Sequence, residues 1–331
     1  EKKFGNLSTN IAFKFSGMLH LKPIDVANSF VNTLNENLNC SSLNKTVSRF
    51  VAEPPGFINI FFSEDFLRDT LKNIISFPEA LGRVNISKGK KVLIEFVSAN
   101  PTGPLTVAHG RQAAVGDTLS NILEYAGYKT TREYYNNDEG NQINTLGKSI
   151  MARSLELRGL DFEFPPDGYK GDYIYDIAKE INEKYEGKLD KKTFEFFAEK
   201  GFNIILGCII KDLGDFGVRF DIWYSQKKLR ESKAVNLTLD YLKKEGFIYE
   251  SEGAVFFKST PFGDDKDRVV IKSDGSFTYL APDIAYHFDK YKRGFDILID
   301  IWGPDHHGYI PRIKAAIQAL GYEKESLRVI I

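Results

Sequence analysis

Residues 91–111 read KVLIEFVSANPTGPLTVAHGR, and this stretch decides the fold class. Five of the six residues from Val92 to Val97 are apolar, and Glu95 is the exception. Such a near-continuous apolar run is typical of a parallel strand that is buried on both faces. The Pro and Gly residues of NPTGP end the strand, and a helix is predicted to follow. A strand, a tight loop and a helix in this order indicate the first part of a β-α-β unit.

The helix after this loop carries an apolar stripe at helical spacing. Gly127 marks its predicted end, and KTTREYY at 129–135 predicts a second strand. A strand, a helix and a strand of these lengths predict a right-handed crossover in a parallel sheet. The stripe consists of Val115, Leu119, Ile122, Leu123 and Ala126.

The rest of the chain surrounds this unit with further predicted regions. Residues 1–85 combine short helical patterns with the strand FINIFF, which predicts a small N-terminal α+β domain. Residues 268–331 return to alternating strands and helices, and the stretch between, about 143–260, predicts an insertion of helices and a hairpin. We therefore expect an α/β protein whose residues 86–331 form a Rossmann-type parallel-sheet domain with that insertion.

Composition excludes several classes of protein. Lys and Arg number 44 against 45 Asp and Glu, so net charge gives no general argument for nucleic acid or membrane binding. Cys40 and Cys208 are too few for a disulfide framework, and no apolar run approaches the roughly 20 residues of a membrane span. We expect a cytoplasmic, monomeric protein. The chain starts without Met and stops straight after the strand-like LRVII, so we expect a fragment of a longer protein.

Two acids are predicted to form a cation site. Glu95 lies in an otherwise apolar strand, where an unpaired carboxylate is costly, so it should meet a cation. Tyr279 and Asp283 flank the start of a predicted helix, and His287 lies one turn later. Glu95 and Asp283 together would suit a guanidinium, which carboxylates bind in bidentate fashion. The simpler alternative is that Asp283 only caps its helix.

Two loops are candidates for binding phosphate or nucleotide. The helix after Asn100, Thr102 and Gly103 presents free backbone N–H groups, with His109 and Arg111 on its first turns. The alternative is a tight connection with a packed His109. In the second loop, GPDHHG at 303–308, the acid and the histidines could ligate a metal, hold a nucleotide, or be simple loop polarity.

Several motifs in order carry a resemblance to the arginyl-tRNA synthetases of bacterial type, a class I family. It extends over nearly the whole chain. FGNLSTNIAF and PPGFINIFFS resemble part of that family's N-terminal domain, which contacts the tRNA elbow. The catalytic motifs are EFVSANPTGPLTVAHGRQAAVGD, EYYNNDEGNQI, GDDKDR, TYLAPDIAYH and WGPDHHGYIPRIKAA.

The resemblance implies substrates and residue roles. The substrates are L-arginine, ATP accompanied by Mg²⁺, and tRNA(Arg), with no metal held by the protein. Family members usually need tRNA to activate arginine. The arginine contacts by position are Glu95, Asn100, Tyr279 and Asp283, with Gln142 nearby. The ATP contacts by position are Thr106, Ala108, His109, Gly303, Asp305 and His307, of which Thr106 and His109 would be catalytic.

The chain departs from the family pattern in three places. Thr106 and Ala108 replace the first His and the Gly of the His-x-Gly-His signature, which weakens the expected contacts with ATP. The Lys-Met-Ser-Lys loop and the anticodon-binding domain are not found in the sequence, so we expect a weak or inactive catalyst. Three alternatives stay open: another adenylate-forming enzyme, a non-catalytic RNA-binding relic, and a metal-dependent hydrolase. The hydrolase would use Asp283, His287, Asp305 and His306.

Overall fold

The computed structural model describes residues 4–331, apart from the side chain of Asp305. The chain divides into two compact units, of which the first ends at Arg83 and the second is Val84–Ile331. In the first unit, three antiparallel strands in the order β1-β3-β2 pack against helices through Ala12, Val26 and Phe50. Its elements are β1 (Leu7–Thr9), α1 (Ile11–Leu19), α2 (Pro23–Leu38), β2 (Val47–Glu53), β3 (Phe57–Phe62) and α3 (Glu64–Ser76).

The second unit is built on a five-stranded parallel sheet with the order β11-β10-β4-β5-β6. A separate antiparallel sheet joins β7, β8 and β9. The strands are β4 (Lys91–Glu95), β5 (Lys129–Asn136), β6 (Ile222–Ser225), β7 (Ile248–Ser251), β8 (Ala254–Phe257), β9 (Arg268–Ile271), β10 (Ile297–Ile301) and β11 (Leu327–Ile330). The helices are α4 (Val107–Tyr125), α5 (Asn141–Leu157), α6 (Asp172–Lys184), α7 (Phe194–Asp215), α8 (Gln226–Glu231), α9 (Ala234–Lys244), α10 (Leu280–Lys292) and α11 (Ile310–Ala319).

Strand β4 explains why the opening stretch reads as apolar almost throughout. Val92, Ile94 and the following Phe96 belong to the core on one face of the sheet, with residues of α5, α6 and α7. Leu93 belongs to the core on the other face, with residues of α9, α10 and α11. Both faces are covered, so alternation between polar and apolar residues is lost, as expected for a parallel sheet. The predicted α/β class is confirmed.

Helix α4 buries a different face from the predicted stripe. Val115 and Ile122 are 39% and 60% exposed, whereas small residues, among them Ala113 and Gly116, are buried. A Cβ on Gly116 would lie 2.2 Å from the ring of Phe96, so only glycine allows the helix to approach this closely. The prediction of this stripe was therefore wrong for Val115 and Ile122, because close packing requires small side chains rather than large apolar ones.

Two details of the 143–260 region differ from the expectation. Strand β6 pairs with β5 in the parallel sheet, so the region returns to that sheet before reaching the β7–β8 hairpin. The sequence pattern also predicts one helix over 228–245, but the structure has two helices, α8 and α9, which are separated where Lys233 adopts a positive φ of 59°. Within the described residues, no helix is long and apolar enough to cross a membrane.

Candidate active site

A cavity of about 290 Å³ opens at the carboxyl ends of β4 and β10, beside the first turns of α10. Ligands of open parallel sheets bind at this edge. Glu95, Asn100 and Asp283, three of the predicted arginine contacts, line the cavity together. Gly303, one of the predicted adenosine contacts, lines it as well. Chain segments far apart in sequence are thus brought to one place.

Three buried carboxylates lie side by side beneath this edge. In the registers of the neighbouring parallel strands, Asp300 of β10 pairs with Glu95 of β4, and Glu95 pairs with Glu133 of β5. All three are buried, at 0%, 8% and 0% exposure respectively. Since paired residues of adjacent strands point to the same face, the sheet presents a row of negative charges to α10. We call Asp300, Glu95 and Glu133 the carboxylate row.

Helix α10 and the residue that follows it place two cations, Lys290 and Arg293, against the carboxylate row. Lys290 Nζ donates to Glu95 Oε2 at 2.6 Å and to Asp300 Oδ1 at 2.8 Å. One turn later, Arg293 binds both oxygens of Glu133. Burial alone would lower the pKa of Lys290, but the carboxylates of Asp300 and Glu95 hold it well above its ordinary value. Every charge of the row therefore has a partner, as buried charges require.

Two more side chains of α10 complete these contacts. The hydroxyl of Tyr286 donates to Glu133 Oε1 at 2.6 Å. His287 lies with Nε2 2.8 Å from Asp300 Oδ2 and with Nδ1 2.8 Å from the carbonyl oxygen of Asp283. Burial alone would raise the pKa of Asp300, but Lys290 and His287 hold it well below its ordinary range. Both ring nitrogens of His287 are engaged within the protein, which leaves neither for the metal site that the hydrolase alternative requires.

Of the two carboxylates that line the cavity, Asp283 has fewer hydrogen-bond partners than Glu95. Tyr309, which directly precedes α11, donates from its hydroxyl to Asp283 Oδ2 at 2.8 Å. Burial raises the pKa of Asp283 to about 6, against the opposing effect of this hydrogen bond. A carboxyl held in this way gains from meeting a cation, because the cation restores the interactions lost with water.

The loop after β4 holds Glu95 through a strained turn. Val97 and Ser98 have positive φ values of 67° and 38°, and Ser98 N donates to the carbonyl of Phe96 at 2.9 Å. This bond closes a γ-turn at a β-branched residue, a conformation that costs on the order of 1–3 kcal/mol. Ser98 Oγ in turn donates to Glu95 Oε1 at 2.9 Å and accepts from the backbone N–H of Tyr135. The strain thus serves to fix the second oxygen of Glu95.

The helix start expected to meet ATP lies at the N-terminus of α4. Thr106 N donates to His109 Nδ1 at 3.0 Å, so Nδ1 acts as an acceptor and the ring proton lies on Nε2. Burial lowers the pKa of His109. Thr106 and Ala108 are exposed. None of these three residues lines the 290 Å³ cavity, whereas Gln112, one turn further along α4, does.

The other predicted contacts lie elsewhere. Tyr279 is 90% exposed and lines a larger cavity of about 630 Å³, together with Arg230 and Phe277. Gln142, on the first turn of α5, and His307, in the 3₁₀ helix Pro304–Tyr309, are both exposed. The side chain of Asp305 lies outside the described residues. His306 of the same 3₁₀ helix does line the 290 Å³ cavity.

Lys290, Asp300 and Tyr309 are among the residues of this site that sequence reasoning missed. Asp300 carries the same signal that marked Glu95, a lone acid in the buried strand ILIDI at 297–301. Lys290 lies seven residues after Asp283, hence on the same face of α10, and a lone acid in a strand is reason to search such faces for a cation. Tyr309 gave no signal, because its contact with Asp283 depends on how the 3₁₀ helix is placed.

Two family models match the chain. The one described as "tRNA synthetases class I (R), catalytic domain" matches residues 70–330. The one described as "Arginyl tRNA synthetase N terminal domain" matches residues 1–62. The chain belongs to the arginyl-tRNA synthetase family of class I. The family predicted from the sequence is confirmed.

Curated relatives agree with this family. Proteins named arginine–tRNA ligase from Geobacillus kaustophilus and Bacillus subtilis are 47% and 45% identical to this chain. Each match covers 100% of this chain but 59% of the relative, so the chain spans about three fifths of the length of these relatives.

Solved structures of the family share the fold. A putative arginyl-tRNA synthetase from Campylobacter jejuni is 40% identical, with a TM-score of 0.75 over 81% of this chain and 60% of its own. The arginyl-tRNA synthetase of Thermus thermophilus is 20% identical, with a TM-score of 0.62 over 100% of this chain and 60% of its own. Because its identity is only 20%, the second comparison shows only that the fold is shared.

Proposed function

We propose that this chain carries the arginine-activation site of an arginine–tRNA ligase. One observation carries the proposal: Glu95 and Asp283 come from distant segments and line one cavity at the carboxyl edge of the parallel sheet. A guanidinium offers five N–H donors in a planar fork, which suits two carboxylates better than a single ammonium does. Asn100, on the same wall, is placed to contact the polar end of the amino acid.

The chemistry proposed for this site is adenylate formation followed by transfer to tRNA. A carboxylate oxygen of arginine attacks the α-phosphorus of ATP, an O–P bond forms, and the bond to pyrophosphate breaks as pyrophosphate leaves. A ribose hydroxyl at the 3′ end of tRNA(Arg) then attacks the arginyl carbonyl and releases AMP. Catalysis of this kind rests on positioning and on stabilising charge at the phosphate oxygens. Mg²⁺ would accompany ATP, held largely by phosphate oxygens.

ATP is assigned to the N-terminus of α4 and to Gly303. The free N–H groups and the dipole of the 19-residue helix α4 favour a phosphate at its start. His109 donates from Nε2 as a neutral ring, since its Nδ1 accepts from the backbone of Thr106. Thr106 adds a hydroxyl where the family signature has a first His, so it contributes a hydrogen bond without a positive charge. The first unit is assigned to tRNA.

Calorimetric titration with L-arginine, L-lysine and L-citrulline tests the proposal. Citrulline keeps the shape of arginine and lacks its charge, whereas lysine keeps a charge and lacks the planar fork. We expect arginine to bind at least about tenfold more tightly than either, because each fork bond to a carboxylate is charge-assisted. Binding does not depend on turnover, so a requirement for tRNA does not mask the result. Equal affinity for arginine and citrulline would contradict the assignment of the two carboxylates.

A further inference from the structure

Lys290 is a fully buried lysine that the proposed chemistry does not use. Its side chain is 0% exposed and does not line the cavity, yet its ammonium touches Glu95, which does. The second carboxylate on the ammonium is Asp300, and the ring of Tyr286 lies 4.4 Å away. Lys290 therefore lies directly behind the wall that would face the guanidinium.

Stability alone does not explain a charged group in this position. Burying an ammonium costs several kcal/mol, and well-packed apolar residues in place of buried ion pairs are often neutral or stabilising by about 1–4 kcal/mol. Helix α10 already contributes apolar residues such as Ile284 and Phe288 to the core that contains Leu93 and Leu298 of the sheet. The charge of Lys290 is therefore better accounted for by what it does to Glu95.

The contacts of Glu95 show what that effect is. Lys290 occupies Oε2 and Ser98 donates to Oε1, so the plane of the carboxylate is fixed from both sides. Two titratable groups also face Glu95 from packed elements, Tyr135 of β5 and Tyr286 of α10. Glu95 meets the further negative charge of Asp283 across the cavity. Without a cation behind it, Glu95 would have Asp283 and Asp300 as neighbours and would favour its protonated form.

We propose that Lys290 is a positioning residue that keeps Glu95 ionised and oriented, so that the guanidinium meets a second carboxylate of fixed charge. The inference rests on the proposed function. The two carboxylates of the cavity then differ in what keeps them ionised. Glu95 is held ionised by the protein, whereas Asp283 depends on the ligand. Arginine binding to the parent chain then displaces at most the proton of Asp283.

The variant Lys290→Met removes the cation and keeps an unbranched side chain. Arginine must then displace protons from both Glu95 and Asp283 when it binds. We expect arginine affinity to fall about 30-fold at pH 6 and only about threefold at pH 8, since each pH unit per proton is tenfold. Titration calorimetry at the two pH values measures this. Lys290→Arg keeps the charge and should restore the pH profile of the parent. A merely structural lysine would give the same loss at both pH values, and that result, or no loss, overturns the proposal.

Arg293→Met is the matched control. It removes the neighbouring half-buried cation that directly follows α10, whose partner Glu133 does not line the cavity. It should lower stability without changing the pH dependence of arginine binding. If Lys290→Met does not fold, Lys290→Met with Asp300→Asn removes one charge of each sign, and the same pH-dependent loss is expected.

A second readout separates this inference from the proposed function. In ¹³C-carboxyl NMR of the chain without ligand, the signal of Glu95 should change more with pH in Lys290→Met than in the parent. If the parent binds arginine no better than citrulline, the proposed function fails and this titration alone decides the role of Lys290. An unchanged Glu95 titration in Lys290→Met overturns it.

Discussion

Glu133 and Glu95, two neighbouring members of the carboxylate row, differ in how completely their charges are paired. Glu133 accepts two bonds from Arg293 and one from Tyr286, and it is absent from the wall of the cavity. Glu95 has one cation, shared with Asp300, and lines the cavity opposite Asp283. Glu133 and Glu95 are register partners on adjacent strands, but their surroundings differ. Glu133 is fully bonded and only joins the sheet to the helix, whereas Glu95 can also contact a ligand in the cavity.

Substitution of Asp283, which lines the cavity together with Glu95, should have the largest effect. Asp283→Asn keeps the shape and removes the charge, so we expect arginine affinity to fall about 100-fold, as for the loss of a buried charge-assisted contact. Asp289→Asn, on the same helix but paired with Arg293, is the control and should leave arginine affinity unchanged. Titration calorimetry compares the two variants. Similar losses in both would mean that α10 as a whole, rather than Asp283, is disturbed.

Substitution of Glu133 tests the fully paired member of the row. Glu133→Gln removes one charge of a buried pair, and we expect the free energy of unfolding to fall by about 2 kcal/mol, discounted because Arg293 is a quarter exposed. Arginine affinity should stay within about twofold of the parent, because Glu133 does not line the cavity. Urea unfolding gives the first quantity and calorimetry the second. A large loss of arginine affinity in a stably folded Glu133→Gln chain would contradict the contrast between Glu133 and Glu95.

The pH dependence of arginine binding sharpens the comparison. With a pKa of about 6, Asp283 is mostly protonated at pH 5 and mostly ionised at pH 7. Affinity for the arginine cation should therefore rise about tenfold between these values. The folded pKa is raised, so the stabilising contribution of Asp283 is complete below about pH 4 and is lost as pH rises through 6. Asp283→Asn should accordingly gain stability relative to the parent at pH 8 compared with pH 4, as thermal unfolding at both pH values would record.

Substitution at the start of α4 should have the smallest effect on the cavity. His109→Ala removes a neutral donor from the proposed phosphate site, and we expect ATP affinity to fall roughly threefold to tenfold, about the value of one hydrogen bond. Arginine affinity should not change, since His109 does not line the cavity. Separate titrations with ATP and arginine test this, and a greater loss for arginine would count against the assignment of the helix end.

Sequence reasoning reached the elements whose signals are local. The apolar run of β4, the loop after it and α4 follow from residues 91–125 alone. The face that α4 buries could not be predicted in the same way, because Gly116 is selected by its distance from Phe96 rather than by hydrophobicity. The family followed from several motifs in order, which together are more specific than any single loop.

Sequence reasoning named Glu95, Asn100 and Asp283, which line the candidate site, but not the contacts that connect its residues. The need of Glu95 for a cation follows from its place in an apolar strand, yet that cation lies 195 residues away. Sequence reasoning offered a ligand as the partner of Glu95, whereas the protein supplies Lys290 itself. The register that aligns Asp300, Glu95 and Glu133 exists only once three strands are paired. Such contacts depend on tertiary structure, and no local pattern in the sequence predicts them.

The contacts of α10 also have a mechanical consequence. Lys290 and Arg293 fasten two successive turns of the helix to three strands, so the helix and the central sheet form one stiff block. A stiff block cannot close around a ligand by bending. The cavity is then shaped by the fixed helix and sheet together with the short 3₁₀ segment Pro304–Tyr309, whose last residue donates to Asp283. Such a preformed cavity favours a ligand that already matches the spacing of its carboxylates.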